Sequence, residues 1–417
     1  VLQSCRTSLA IPRTYETNTS NDGHYRNDVY SLNMHYEINE NLSLVSLTGF
    51  HDTPREDTIS ELDGSKDLFI WIDNDNTYEQ FTQELRLEGS WRALDFVLGA
   101  YYLDSNYEQN WVTFGSFWSV VAPGFDTNAL VPGAGGLGLT DLCLIGALFP
   151  LACDQAVPIG SSGLGPNFTQ LLFQEQDTES LAFFFQADYE INERWTVTAG
   201  IRYTDEEKDF VGAQSYLAPI GRERVFNYPD FALLSNDWQE TSIKLGVKYR
   251  LSDDVMFFAS YSEGFKSGGF FGRNQNISDF ANNQYDPEFA NSYELGMKGQ
   301  FFDNRVQLNL AAFYNDFEDK QDSNIVLDQS TNTVATVWEN IGGIEYLGWE
   351  ADAQWLVTDG LSVFGTVGWL DAEYDGFLSS RFVDVTLQAT TPKQNVDFLT
   401  PKNSPKWTFG AGGTYVI

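Results

Sequence analysis

Apolar and polar residues alternate along most of this chain. The stretch 242–251 is the clearest case, because every odd position is apolar and every even position is polar or glycine. Successive side chains of a β-strand point to opposite faces, so this pattern predicts a strand with one apolar face. The same separation recurs in 292–301 and 349–355, and 255–262 has one face that is more apolar than the other. Two further segments, 42–50 and 361–369, alternate without showing which face is the apolar one.

These segments and their weaker neighbours predict about thirteen strands. The weaker strands are expected to begin near Asp28, Leu42, Phe81, Leu94, Glu179, Trp195, Arg305, Leu361 and Lys406. Connections of roughly two to four residues recur at 39–41, 91–93, 192–194, 252–254, 302–304 and 358–360. Longer connections follow Thr53, Val112, Phe210, Phe270 and Asp375. Alternating short turns and long loops predict an antiparallel up-and-down meander.

Such a meander, apolar on one face and polar on the other, is typical of an outer-membrane β-barrel, whose outer face meets lipid and whose lumen is wet. A soluble sandwich or propeller also alternates, but it rarely keeps so regular a rhythm of short and long connections. Aromatic residues expected near the short turns favour the barrel, because aromatic girdles lie at membrane interfaces. They are Tyr36, Tyr189, Trp195, Tyr249, Trp355 and Trp407.

Composition removes several other classes. The longest apolar run, 144–153, is about half the length of a spanning helix and contains Pro150. The first 23 residues lack the pattern of a signal peptide, so we expect a mature or truncated chain. A formal net charge of −35 argues against nucleic acid as a partner. The acidic excess suits loops that face an anionic lipopolysaccharide layer with divalent cations between them.

The three cysteines give one candidate disulfide. Cys143 and Cys153 lie in one segment rich in glycine and proline, and in an oxidising compartment a bond between them would close a loop. Two unpaired thiols are the alternative, and the pairing of Cys5 stays open. Because the spacing is too wide for CxxC and the chain has only three histidines, no metal site is predicted.

Seven sequence blocks, in this order, resemble the β-barrel region of TonB-dependent outer-membrane receptors. The resemblance runs from about Asn27 to the last residue. The blocks are QFTQELRLEG, WTVTAGIRYTDEEKDF, FFASYSEGFKSGGF, YDPEFANSYELGMKGQFFDNRVQLNLAAFYNDFEDKQ, NIGGIEYLGWEADAQW, GWLDAEYDGF and PKNSPKWTFGAGGTY.

The resemblance implies an all-β transmembrane barrel of about 22 strands, with a plug domain and a TonB box before it. We therefore expect residues 1–417 to be a partial barrel domain without its plug. Thirteen strands would leave two unpaired edges in lipid, where each orphan backbone group costs several kcal/mol. The chain is expected to be part of a longer polypeptide.

The function implied by the resemblance is uptake of a scarce small-molecule ligand, most commonly a ferric siderophore, with energy from the inner-membrane TonB complex. The implied location is the outer membrane of a Gram-negative bacterium, in contact with lipid and lipopolysaccharide. A receptor for a saccharide or cobalamin is one alternative. A passive channel, a structural outer-membrane protein and a soluble all-β binding protein are the others.

Candidate ligand contacts lie in the longest loop, where aromatic side chains could stack on a planar or sugar ligand or pack a small core of the loop itself. They are Trp111, Phe114, Phe117 and Trp118. Polar rows on the lumen side are expected to bond to a plug and to each other, because a barrel interior is polar in any case. They comprise Arg202, Lys244, Lys248, Arg250, Glu294, Glu350 and Asp352.

Other motifs carry little chemistry. Asp73 and Asp75 have a calcium-like spacing in an expected loop, but Tyr78 stands where an EF-hand needs glycine, so solvated carboxylates are the expectation. The segment 133–139 is glycine-rich without the lysine of a phosphate-binding loop. The histidines His24, His35 and His51 lie on or beside early strands, away from any nucleophile motif. We predict no cofactor and no enzymatic activity.

Overall fold

The computed structural model describes residues 22–61, 70–116, 167–217, 232–272, 284–328, 333–379, 394–395 and 397–416. This part of the chain contains strands and turns, and no helix in it is long and apolar enough to cross a membrane. Thirteen strands form one sheet. They are β1 (Asp22–Asn39), β2 (Leu42–Glu61), β3 (Ile70–Trp91), β4 (Leu94–Ser116), β5 (Asn167–Asn192), β6 (Trp195–Leu217), β7 (Ala232–Arg250), β8 (Val255–Lys266), β11 (Glu288–Phe301), β12 (Val306–Glu318), β15 (Gly343–Thr358), β16 (Leu361–Asp375) and β19 (Trp407–Tyr415).

Six shorter strands form three ribbons within the long connections. They are β9 (Gly269–Phe270) with β10 (Gln284–Tyr285), β13 (Gln321–Asp328) with β14 (Thr333–Asn340), and β17 (Leu378–Ser379) with β18 (Gln394–Asn395). Each long strand pairs antiparallel with the one before it in the sheet. The predicted meander of about thirteen strands is confirmed. In the described residues, β1 and β19 are its two edges.

One face of the sheet is apolar and exposed. In β7 this face carries Leu245, which is 50% exposed, and the register sets it beside Ala199 of β6 and Tyr261 of β8. Leu295 of β11 continues the same face at 62% exposure. A contiguous apolar surface of this extent on a barrel sheet is the side that meets lipid. We call it the outer face and its opposite the inner wall.

The register also settles the two segments whose apolar face was open. Leu44 pairs with Tyr36 on the outer face, so Val45 faces inward and is 4% exposed. Val363 pairs with Trp355 on the outer face, so Phe364 belongs to the inner wall. Neighbouring strands therefore supply the information that the alternation within each segment lacks.

The outer face changes from apolar to acidic at a similar height on successive strands. Going away from the short turns, Tyr102 is followed by Asp104, and Leu181 by Glu179. The register pairs Asp52 with Glu79, and it sets carboxylates opposite one another from β4 to β7, while Glu79 and Asp104 are two residues out of register. We call this row the acidic belt, and it comprises Asp52, Glu79, Asp104, Glu179, Glu207 and Asp237. The belt marks where the strands leave the apolar layer.

Several strands run beyond this boundary, which corrects the expected strand limits. β3 begins at Ile70 instead of near Phe81, and β5 begins at Asn167 instead of near Glu179. Above the belt polar residues occur on both faces, so the alternation is lost while the backbone hydrogen bonds continue. For the same reason Asp73 and Asp75 lie in β3 and not in a loop.

Two further expectations were wrong. Trp407 pairs with Trp369, far from the short turn that precedes Leu361, so it lies toward the long-loop side of the sheet. The connection between β12 and β15 was not predicted, and it contains the β13–β14 hairpin. The expected girdle residues Tyr36, Tyr189, Trp195 and Trp355 do lie beside short turns, each at least 42% exposed.

Phenylalanine rings cover glycines of the neighbouring strand along the inner wall. A Cβ atom at Gly99 would lie 2.2 Å from Cζ of Phe184, its direct cross-strand partner, and similar contacts join Gly348 to Phe313 and Gly412 to Phe364. Glycine is needed at these positions because any side chain would displace the ring.

Replacing Gly99 by alanine is therefore expected to destabilise the sheet by about 1–3 kcal/mol through overpacking. The Gly99→Ala, Phe184→Ala double variant should lose less stability than the sum of the two single variants, because the clash is gone. Gly264 is the matched control, since a Cβ there meets nothing within 4 Å. Urea unfolding of the whole protein in detergent measures all four, and additive costs would contradict the account.

Candidate ligand-facing inner wall

The lower half of the inner wall carries most of the predicted lumen residues. Lys244, Lys248 and Glu294 line one recess of about 270 Å³, together with Lys298, whose ammonium lies 5.8 Å from the Phe258 ring centroid. Three lysines against the carboxylates of Asp188 and Glu294 give the lining a net formal charge of +1, so the recess can hold an anionic group. Whether these lysines contact a ligand or a plug stays a prediction.

The remaining predicted lumen residues lie on the same wall but outside this recess. The guanidinium of Arg202 lies 5.6 Å from the ring centroids of both Tyr101 and Phe184, and its Nε donates to Thr204. Asp352 accepts a hydrogen bond of 2.8 Å from Asn309, and Glu350 is exposed one step along the inner side of β15. Arg250 lines a separate recess beside the turn before β8.

The upper inner wall of β3, β4 and β5 holds a ladder of amides that the sequence did not reveal. Gln109 donates to Asn74 over 2.9 Å, and Gln174 donates to Gln109 over 2.7 Å. Tyr107 and Asn76 lie within 3.5 Å on the next rung. The ladder joins residues about a hundred positions apart, so only the strand register brings them together.

The predicted aromatic cluster is placed only in part. Trp111 belongs to β4 and stands opposite Leu172, which is 4% exposed, at the upper end of the amide ladder. Phe114 is also a β4 position, but its side chain lies outside the described part of the chain. Phe117, Trp118, the three cysteines and the glycine-rich segment 133–139 also lie outside the described residues. A shared ligand contact by the four aromatics stays a prediction.

The connection after β8 folds onto the inner wall. We call residues 267–272 the inward turn. Its Phe270 is 7% exposed and lies 5.7 Å from the Phe210 ring and 6.1 Å from the Trp238 ring. A Cβ at Gly268 would lie 2.5 Å from Trp238, so only glycine allows this close approach. The sequence SGGF signals a turn here but not its direction.

Polar contacts hold the inward turn in place. Lys208 donates to Oγ of Ser267 and to the carbonyl of Gly268, and its ammonium lies 3.1 Å from Glu206. From the other side, the Gln321 amide donates to the carbonyls of Ser267 and Asp286. The turn is thus fixed between β6 and the start of β13.

Replacing Lys208 by methionine keeps the stem but removes these bonds and leaves Glu206 without its ion-pair partner, with only the hydrogen bond from Ser267. We expect hydrogen exchange of residues 267–272 in the whole protein to become roughly ten- to a hundredfold faster, as for a loss of about 1–3 kcal/mol. Lys266→Met is the control, because that side chain is exposed. Equal exchange in both variants would show that Lys208 does not hold the turn.

Loop segments outside the membrane layer are tied by further buried groups. Glu288 is 6% exposed and accepts from Lys320 and from the backbone N–H of Gln321. Burial raises the pKa of the Tyr285 phenol in the β9–β10 ribbon. At Asp397 burial acts against ionisation, but hydrogen bonds from Asn395 and from the backbone of Phe377 and Gly376 together lower the carboxyl pKa.

Among the residues in the described ranges, no group of three or more His, Cys, Asp or Glu side chains could hold a metal ion. The wall offers amide, hydroxyl and aromatic groups above, and lysines and carboxylates below. This chemistry suits noncovalent binding of a ligand or of a polypeptide segment.

Comparison with known proteins gives one family. A family model described as TonB dependent receptor-like, beta-barrel, matches residues 6–417. The probable TonB-dependent siderophore receptor PiuA of Acinetobacter baumannii is 24% identical over 252 residues, covering 57% of this chain and 31% of that receptor. The ferric-pyoverdine 358 receptor of Pseudomonas putida is 27% identical over 175 residues, covering 40% of this chain and 19% of that receptor.

Solved structures give the same fold. The ferric yersiniabactin uptake receptor FyuA from Yersinia pestis aligns with a TM-score of 0.61 at 16% identity, covering 94% of this chain and 47% of that one. The chain thus spans about half the length of this solved receptor and about a third of PiuA.

Proposed function

The chain belongs to the TonB-dependent receptor family, in its β-barrel domain, and on this premise we propose that the whole protein is an energised transporter. Receptors of this family are outer-membrane β-barrels of Gram-negative bacteria, so the chain is an outer-membrane protein. In the proposal, a scarce ligand binds on the extracellular side, and the inner-membrane TonB complex then opens a passage by acting on a plug domain.

The proposed ligand is a ferric siderophore. The observation that carries this choice is the match over residues 6–417 together with relatives named as siderophore receptors. Identity below 30% leaves the substrate to experiment, because one fold serves many ligands. The protein is proposed to bind and move its ligand without acting as an enzyme.

Growth of iron-starved cells tests the ligand class. A Gram-negative host lacking its own siderophore receptors would carry the gene for the whole protein or an empty vector. We expect ferric siderophores supplied one at a time to restore growth only with the gene. If only a saccharide or cobalamin, supplied as the limiting nutrient, restored growth, that nutrient and not a ferric siderophore would be the substrate.

A passive channel is the second candidate function, and it is suggested by the polar rows of the inner wall, such as the amide ladder and the lysine-lined recess. It predicts steady ion conductance when the whole protein is inserted in a planar bilayer. A plugged transporter should show little conductance until the plug is removed by denaturant.

The outer-membrane environment accounts for the two parts of the outer face. The apolar surface lies against lipid, and we propose that the acidic belt lies at the level of the lipopolysaccharide head groups. No nucleic-acid partner is proposed.

A further inference from the structure

Charged residues are separated between the two faces of β3, β4 and β5 around and above the acidic belt. On the outer face these strands carry Asp73, Asp75, Glu79, Asp104, Glu108, Glu175, Asp177 and Glu179. On the inner wall, five positions on each strand form a regular array. Tyrosine is the only ionisable residue type at these fifteen positions. We call this array the neutral grid, and it comprises 74, 76, 78, 80 and 82 of β3, 103, 105, 107, 109 and 111 of β4, and 172, 174, 176, 178 and 180 of β5.

The grid is joined by its own hydrogen bonds. The amide ladder from Asn74 through Gln109 to Gln174 crosses all three strands, and Gln176 donates to Thr178. Tyr78, Tyr107 and Trp111 add ring faces between the amides, and each is only half-buried. Amide and hydroxyl groups both donate and accept, so such a surface binds uncharged polar groups and ring edges.

Within the described part of the chain, the two cations of β6 beside the grid are already engaged. Lys208 on the adjoining strand bonds to the inward turn and to Glu206, and Arg202 lies against two aromatic rings. The sequence contains no lysine or arginine between Arg92 and Arg194, a stretch that includes β4 and β5. Anionic ligands are ordinarily held by arginine or lysine, and here a bound anion would lose hydration without gaining a counter-charge.

We propose that the neutral grid is part of the ligand-binding surface and selects a ligand without net charge that is rich in hydroxyl or amide groups. This inference rests on the proposed transport function and narrows its substrate class. Among iron chelates, three hydroxamates each carry one negative charge and give a neutral ferric complex. Three catecholates each carry two negative charges and give a ferric complex of charge −3, which the grid would bind less tightly.

Binding to the whole receptor in detergent tests the inference, with tryptophan fluorescence as the signal. The three probes are the ferric complex of a linear trihydroxamate, the ferric complex of a tricatecholate, and a neutral maltodextrin. We expect the trihydroxamate complex to bind at least about tenfold more tightly than the tricatecholate complex, a difference of about 1.4 kcal/mol. Preference for the tricatecholate would overturn the inference and leave iron transport intact. If only the maltodextrin bound, the inference about the neutral grid would hold and iron transport would be rejected. If neither the trihydroxamate complex nor the maltodextrin bound, the inference would be overturned.

Lysine substitutions test whether ligand preference depends on the charge of the grid itself or on the net charge of the protein. Gln80→Lys places a cation within the grid and should move the preference toward the tricatecholate complex by roughly tenfold. Gln176→Lys does the same from β5 if the first variant does not fold. Thr77→Lys is the matched control, because its side chain is on the outer face of the same strand. An equal shift in the grid variant and the control would contradict a role for the grid.

Discussion

Uptake of the ligand is expected to fall to background in cells that lack TonB, while binding of the ligand to the same cells is unchanged. The reason is energetic, because the outer membrane has no energy source of its own and the proposed transporter must be driven from the inner membrane. An iron chelate labelled with a radioactive isotope distinguishes the two steps, since surface-bound label is removed by an excess of unlabelled chelate and internal label is not.

The matched strains differ only in the TonB gene, and both carry the gene for the whole receptor. An uptake loss of the same size when the proton gradient is dissipated would support the same mechanism. Uptake that persists without TonB and scales with the external concentration would identify the passive channel.

Replacing Leu295 by arginine is expected to destabilise the folded barrel by about 2–4 kcal/mol, the cost of a cation on the lipid face at mid-membrane. Leu295 is 62% exposed and stands between Ala259 and Ala312 on the outer face, so no partner for the guanidinium is near. Unfolding of the whole protein from lipid vesicles by urea measures the difference.

Asn291→Arg is the matched control on the same face of the same strand. The register sets Asn291 between Glu263 and Asp316, so an arginine there gains opposite charges at the polar edge. Its cost should be about 0–1 kcal/mol. Equal losses in the two variants would mean that Leu295 does not face lipid.

The sequence predicted the membrane-spanning part of the fold well because lipid imposes a simple rule. Outer positions there must be apolar and inner positions are polar, as in 242–251, so period two is visible in one strand at a time. Above the acidic belt, water contacts both faces and the rule disappears. This is why the upper parts of β3 and β5 were assigned to loops.

The inner wall was only partly predictable. Lys244, Lys248 and Glu294 could be assigned to one face from their own strands, and the structure brings them to one recess. The amide ladder needs the register between β3, β4 and β5, which the pattern within a strand does not contain. The inward turn needs Trp238, from another strand, to fix its direction.

Intact mass and N-terminal sequencing of the native protein, extracted in detergent, test the central claim most directly. A plugged, TonB-driven receptor predicts a mass roughly twice the 47.0 kDa of this chain, since the chain covers 47% of the FyuA structure. It also predicts a plug domain with a TonB box before the barrel. A native mass near 47.0 kDa would contradict the transporter and leave an unplugged pore or a structural protein.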